Sequence, residues 1–574
     1  MTDIEHRKPT SDIVGDSWRG SGDRLWIGLA SLVAMLVLAP VVALALIASD
    51  GAGDLWPHLI ANVIPVAFRV TSLLLVGVGI LVIVIGAGTA WLVTAYDFPG
   101  RRILDWALLL PLAVPTYIIA YAYLDILHPI GPVQTALRAV LGLEHPGDLW
   151  FPDIRSLTGC ILLFGLVLYP YVYLSTRALF LMQAAALVEA AETLGAKRRP
   201  VFFRIALPLA RPAIALGASL ALMEALNDIG ASEFLGVRTL TVSIYATWIN
   251  RTNLAGAAEI ALLMLAIIVT LILVERWARQ RQRFATNARA RMLTPRRLDG
   301  GAGWLALAIG TLPVVFGFLV PASYLVSEAI KRIRFTGVAP AILTEIANTV
   351  TISAIATLVT LALGLSVAYA GRLNRGALGI VLVRTASLGY ALPGTVLAIG
   401  LLSPLAGLDN FIDGIARAWF GVSTGLILSG TGAALVYAYA TRFLAISVGG
   451  AEAGFAKIPR SLDRSARTLG HAASGILARV HVPLLRPALG AAALLVFVDC
   501  MKELPATLLL RPLGFETLAT HLYADASRGT YEDGAVAALA IVIVGLLPVL
   551  LLSRLGRPAE RLGGRALTPT DGYV

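Results

Sequence analysis

This 574-residue chain is short of charge. Only 14% of its residues are Asp, Glu, Lys or Arg, against about a quarter in a typical soluble domain. Hydrophobic residues make up 57%, and the mean hydropathy is +0.80. That balance excludes an ordinary soluble globular protein. Cysteine is nearly absent as well: Cys160 and Cys500 each lie in or beside an apolar segment. Two such residues exclude a disulfide framework or a cysteine metal site and read as small buried side chains. The chain has no Gly-x-x-x-x-Gly-Lys-Ser/Thr stretch with which to cradle ATP phosphates. It also has no His/Cys cluster or nucleophile motif in a recognisable setting, so an enzyme is not expected.

What the chain has is long apolar runs. A helix crossing a bilayer needs about 20 largely apolar residues. Runs of that kind lie near 26–48, 70–95, 104–126, 157–178, 209–229 and 256–275, and again near 304–326, 348–370, 379–402, 424–441, 487–506 and 535–553. The fold predicted is all-α and integral to the membrane, with about twelve transmembrane helices in two homologous six-helix halves. The first run is too long for a signal-peptide core and is read as a retained helix.

The net charge of +11 is unevenly spread. Lysine and arginine concentrate in alternate loops, as short cytoplasmic loops require. The clearest case is the linker carrying Arg276, Arg279, Arg281, Arg283, Arg289, Arg291, Arg296 and Arg297, and both termini fall on the same side. Both termini are therefore expected to be cytoplasmic, and nucleic acid is not expected as a partner. Lys331, Arg332 and Arg334 run against this pattern. The expected division is a cytoplasmic segment 1–25, a leading helix and outer loop 26–65, a first transmembrane domain 66–275 and a basic linker 276–303. A second leading helix and loop (304–344), a second domain (345–554) and a cytoplasmic tail (555–574) complete it.

Between the apolar runs stand two related polar islands. The first is Glu189-Ala190-Ala191-Glu192-Thr193-Leu194-Gly195, continuing through Lys197-Arg198-Arg199 to Pro208. The second holds Asp463, Arg464 and Arg467-Thr468-Leu469-Gly470, continuing to Pro483. Gly195 to Pro208 and Gly470 to Pro483 are the same distance, and each residue of the second set lies 275 after its partner in the first. Small alanines admit a partner's backbone, glycine permits a sharp break between two short helices, and glutamate offers a directed polar contact. Such a helix–turn–helix is expected to dock into a soluble partner.

Two acidic pairs follow the islands at the same offset: Glu224 and Asp228, then Asp499 and Glu503. Four residues apart, each pair is expected on one helix face. Ionisable groups inside a span usually face a cavity or pathway. The alternative is a cap or ion pair at a helix mouth, for instance Lys502 with Glu503. Pro111, Pro115 and Pro393-Gly394 are expected to kink matching spans, either along a pathway or for packing alone. Pro505 is expected to place the following stretch at the outer mouth as a partly re-entrant loop. The spans near Tyr169, Tyr171, Tyr173 and near Tyr437, Tyr439 are each read as ending inside, at Thr176-Arg177 and Thr441-Arg442.

Glu189-Ala190-Ala191, Gly195 and Ile205-x-Leu207-Pro208 resemble the coupling-loop signature of type I permeases of binding-protein-dependent ATP-binding-cassette importers. Twelve spans with two copies resemble permeases in which both halves are fused. Lys502-Glu503-Leu504-Pro505-Ala506-Thr507-Leu508, with Arg511-Pro512 and Phe515-Glu516-Thr517-Leu518-Ala519, is similar to the ferric-iron branch. The resemblance implies a bacterial inner-membrane permease with no covalent cofactor, ATP being used by a dimer of cytoplasmic subunits. An extracytoplasmic substrate-binding protein would deliver the substrate, and the islands would dock into the ATPase. Relatives carrying thiamine, polyamines or aminophosphonates share the architecture, and the rival class is an ion-driven secondary transporter. The second island departs from the signature, with Arg464 standing where Glu189 stands in the first, and whether Asp463 substitutes is open.

Overall fold

The computed structural model describes residues 21–183, 191, 193–196, 198–280, 295–337, 339–530 and 533–555. The leading segment 1–20, most of the basic linker, the tail beyond 555, and Glu189 and Ala190 lie outside the described residues. Among those described, ten helices are long and apolar enough to cross a membrane, or eleven if a bent pair counts as one. The bent pair, Arg101–Ala113 with Thr116–Ile126, turns by 91°. Each of the twelve expected runs has its helix, but besides the bent pair at 104–126 and the shifted run at 424–441 two others are altered. The run near 379–402 is broken into Ala377–Ala391 and Gly394–Phe420, and the last helix has a short apolar stretch.

Proline explains both the breaks and several unusual turns. A proline disfavours helical conformation in the residue before it. Val114 and Leu392 are accordingly extended, and Pro115 (φ −56°, ψ 145°) and Pro393 (φ −59°, ψ 146°) share one backbone conformation before a new helix starts. Four other prolines are passed without a break. Wide π turns at Leu59–Val63, Phe202–Ala206, Val315–Leu319 and Leu477–His481 each end two residues before Pro65, Pro208, Pro321 or Pro483. Proline brings no N–H and crowds the carbonyl four residues back. Widening the turn finds other donors for those carbonyls and lets the helix continue.

In each half three helices form the core. Gly53–Ala95, Leu157–Gln183 and Leu207–Asn227 pack together in the first, and Pro340–Leu373, Ala433–Ala456 and Val482–Met501 in the second. Close approach is required at Gly86, where a Cβ would meet Val172 at 2.7 Å, and at its counterpart Gly364, where it would meet Ser447 Oγ at 2.2 Å. Small residues at such crossings suit helix pairs in lipid, where van der Waals contact replaces the hydrophobic drive.

The leading helices are exchanged between halves. Ser21–Ser49 packs on the second half: Tyr437 donates to the Leu36 carbonyl at 2.7 Å, and Trp26 meets Tyr369 edge-on at 5.3 Å. The Gly301–Phe335 helix packs on the first, where Tyr123 donates to the Phe316 carbonyl at 2.5 Å and Tyr324 to Asp125. A two-residue parallel strand pair, Tyr96–Asp97 with Arg296–Arg297, ties the end of the linker to the first half. Two of the three charges that ran against the expected pattern are paired, Lys331 with Glu328 at 2.7 Å and Arg332 with Asp533 at 3.0 Å.

The run expected at 424–441 is corrected to Ala433–Ala456. Residues 424–429 look apolar but form a loop whose amides are held by carboxylates. Asp409 accepts from Leu428 and Ser429 at 2.7 and 2.8 Å, and Asp413 from Thr424 at 2.8 Å. The shift moves Thr441-Arg442 from a helix end into the middle of a span.

Candidate functional site: a cleft between the halves

Both helix breaks open onto one cleft of about 1090 Å³, its open mouth included. It is lined from both halves: Pro115, Thr116 and Tyr117 face Tyr390 and Pro393, while Tyr171 and Met223 face Phe443. All four sequence-predicted acids, Glu224, Asp228, Asp499 and Glu503, line it. Of the clustered tyrosines only Tyr171 does so, since Tyr173 is turned to Asp105 at 2.9 Å, beside the Arg177–Asp105 ion pair at 2.5 Å.

The acids of each pair do not act alike. The Leu207–Asn227 helix stops one residue before Asp228, and Val482–Met501 stops two before Glu503. Both later acids then reach forward to the N–H groups of a buried short helix. Asp228 accepts from Ala231 and Ser232 at 2.8 and 3.2 Å, and from the Thr116 hydroxyl. Glu503 accepts from Ala506 and Thr507, each at 3.0 Å, and from the Thr507 hydroxyl at 2.8 Å. An unpaired N–H buried in a span is costly, so these carboxylates let the chain turn inside the protein. The expectation that each pair shares one helix face is therefore corrected. The signal was present in the sequence as an acid shortly before Ala231-Ser232 and before Pro505-Ala506-Thr507. The Pro505–Leu510 helix is buried, and Thr517 caps a further helix, Leu518–Arg528.

Arg442 is the residue that the sequence reading misplaced. Its guanidinium donates to Glu503 at 3.1 Å and to Asn227 of the other half at 3.0 Å, and Asn227 also accepts from the Gly394 amide at 2.7 Å. One buried cation thus joins both halves at the level of the breaks. Counting by the island offset of 275, its partner in the first half is Val167, not Arg177. Lys502 pairs with Asp499 at 2.9 Å, and the expected Lys502–Glu503 pair is not formed. The Glu224 carboxylate is half-buried and makes no hydrogen bond or short ion pair among the described residues, with the Lys502 charge in its neighbourhood.

The cleft is shut on the face away from the islands. Tyr523 donates to Glu233 of the first half at 2.5 Å and stacks on Phe234 at 5.7 Å. Gly230 has Tyr117 on one side and Leu504 on the other, too close for a Cβ.

At the opposite end the two islands keep one backbone pattern. Gly195 and Gly470 are left-handed, with φ +85° and +82°. The amide after each glycine bonds back five residues, Ala196 to the Ala191 carbonyl at 3.0 Å and His471 to the Ala466 carbonyl at 3.1 Å. This is the helix-ending turn in which glycine carries the reversal. Pro208 and Pro483 each stand second in the helix that follows. Around the second island Asp463 is turned inward, accepting from Arg372 at 3.0 Å and meeting His481 at 2.5 Å, while Arg464 is exposed.

The repetition of the two halves is also a repetition of one family's sequence pattern. The sequence fits the model of the binding-protein-dependent transport system inner membrane component over residues 79–284 and again over 360–559. The chain belongs to that family. It is 24% identical over 488 residues to an Fe(3+)-transport system permease protein of Haemophilus influenzae, covering 84% of this chain and 88% of the relative. It is 31% identical over 196 residues to a molybdenum transport system permease protein of Escherichia coli K12, covering 33% of this chain and 81% of the relative. A sulfate transport system permease protein of the same organism is 29% identical over 219 residues, 37% of this chain and 75% of the relative. The protein is a multi-pass membrane permease of an ATP-binding-cassette importer and not an enzyme.

For this permease the capping role makes a graded expectation. Asp228→Ala removes the acceptor for two buried amides and destabilises by about 1–2 kcal/mol. Asp228→Asn keeps a carbonyl acceptor in place and stays close to wild type. Thermal unfolding in detergent, with substrate uptake measured alongside, checks both. A loss of uptake in a fully stable Asp228→Asn would instead assign the charge itself to transport.

Proposed function

We propose that this permease imports ferric iron across a bacterial inner membrane, with ATP hydrolysed on a pair of separate cytoplasmic subunits and substrate delivered by a binding protein on the outer face. Both termini and both islands are then cytoplasmic, and the contacts of Tyr523 with Glu233 and Phe234 close the outer side. The islands act as the coupling loops: Glu189, Ala190, Ala191, Gly195 and Pro208 in the first, Arg464, Gly470 and Pro483 in the second.

The observation that carries the substrate is the charge of the cleft. Four carboxylates line it against two cations, and both cations are already committed, Arg442 to Glu503 and Lys502 to Asp499. With four carboxylates against two cations, an anion such as sulfate would meet a net negative lining, at a cost that rises as water is excluded. A hard trivalent cation meets oxygen donors that suit it, the Glu224 carboxylate with the Tyr171 and Tyr390 hydroxyls in its neighbourhood. The fused Haemophilus influenzae relative supports the same substrate through its length of match.

The test is ATP-dependent uptake of radioactive iron into cells expressing the whole system, with unlabelled competitors at equal concentration. Ferric iron is expected to compete, whereas molybdate, sulfate, 2-aminoethylphosphonate, thiamine and spermidine do not. Glu224→Gln is expected to lower uptake by about tenfold, equivalent to about 1.4 kcal/mol of lost interaction, without changing the unfolding temperature. Absence of ATP-dependent iron uptake, or competition by one of the other solutes as strong as that by iron, would overturn the iron reading.

A further inference from the structure

The two docking loops are anchored differently. Beneath the first loop the root is aromatic: Trp91 meets Phe180 at 5.4 Å and Phe202 at 5.3 Å. In the second half the residue matching Phe180 is Phe455, but the residue matching Ala206 is His481, and a polar cluster is built there. Arg372 donates to Asp463 and to the carbonyls of Phe455 and Ile458 at 2.9 and 3.1 Å. The fully buried His481 meets the other oxygen of Asp463 and lies edge-on to Tyr369 and Phe455. Tyr369 in turn donates to the Ala473 carbonyl at 2.8 Å. Every oxygen of Asp463 is therefore spent on the permease itself.

What the Arg460–Thr468 helix shows to solvent is basic. Arg464 is exposed, and exposed Lys457, Arg375 and Arg479 lie at the same end of the molecule. Arg460 lies below its ordinary pKa through partial burial and then through the neighbouring charges of Arg375 and Arg372.

We infer that Asp463 locks the second loop to its own membrane helices through Arg372 and His481, and that the loop docks by Arg464 into an acidic groove of its ATPase subunit. Asp463 is not a substitute for the missing glutamate. The two docking contacts of one permease thus differ in sign: Glu189 stands in the first loop where the second has Arg464. This rests on the reading that the loops contact an ATPase. It implies that the ATPase groove carries a carboxylate able to pair with Arg464, and that contact at the second loop weakens with salt.

The test uses the full permease co-expressed with the ATP-hydrolysing subunits of its own system and purified through a tag on the permease. Wild type is expected to retain the ATPase. Arg464→Glu is expected to weaken retention by about tenfold and Arg464→Gln by less, and reversing an acidic groove residue of the ATPase to Arg is expected to restore Arg464→Glu. Asp463→Asn, Arg372→Gln and His481→Gln are expected to act as one unit, their effects non-additive with each other and additive with Arg464→Glu. Retention by wild type that is unchanged in Arg464→Glu, or retention lost in Asp463→Asn in a way that couples to Arg464, would overturn the inference alone. Absence of ATPase from wild-type preparations would overturn the docking reading with it.

Discussion

Replacing Arg442 by alanine is expected to abolish transport and to destabilise the permease by about 3–5 kcal/mol, the cost of leaving a buried ion-pair partner alone. The loss has two parts. Glu503 would stay buried with only its amide and hydroxyl donors, and Asn227 would lose one of its two partners in the other half. Arg442→Met combined with Glu503→Gln removes both charges and is expected to recover most of the stability, since a neutral replacement of a buried pair is often tolerated. It is not expected to recover uptake, because the tie to Asn227 remains absent. The two buried cysteines, Cys160 and Cys500, make the stability measurement direct. Their reaction with a fluorogenic thiol reagent during heating reports when the core of each half opens. An alanine variant that unfolds and transports like wild type would remove Arg442 from the account.

Changing Gly470 or Gly195 to valine is expected to uncouple the machine while leaving its membrane body intact. Each glycine sits at positive φ, where an ordinary residue costs about 1–2 kcal/mol and a β-branched one is least tolerated. Nothing lies within 4 Å of the position a Cβ would take at either glycine, so the strain stays in the loop. The turn between the two short helices would open, and the docking surface would change shape. ATP-dependent uptake is expected to fall by about tenfold or more, equivalent to at least about 1.4 kcal/mol, with unfolding temperature little altered. ATP hydrolysis by the bound subunits continues without transport. Alanine at either site is expected to give a milder form of the same defect.

Much of this organisation is legible in the sequence where it is local. The apolar runs give the helices because a span must satisfy its own backbone and so announces its length. The glycine turns are legible because only a few residue types tolerate that conformation, and because they occur twice. Depth in the membrane is less legible. Arg442 was placed at a helix end by likeness of the Thr-Arg dipeptide to Thr176-Arg177 and by an apolar loop that looked like the start of a span. The offset of 275 that relates the islands, carried back through the same helix, puts it beside Val167 and inside the protein. Asp463 was visible as a candidate substitute, but its partners lie 18 and 91 residues away and follow no period. The exchange of leading helices has no sequence signature either, since each of them is apolar on every side that lipid or protein can cover.

The most direct test is reconstitution into liposomes. The purified permease is incorporated with its ATPase subunits, the binding protein is added outside, ATP is enclosed inside, and iron accumulation is followed with and without an imposed proton or sodium gradient. Uptake that requires enclosed ATP, the ATPase and the binding protein, is indifferent to the gradient, and disappears in Arg442→Ala is the predicted result. Uptake that follows the ion gradient in liposomes lacking the ATPase would contradict the account.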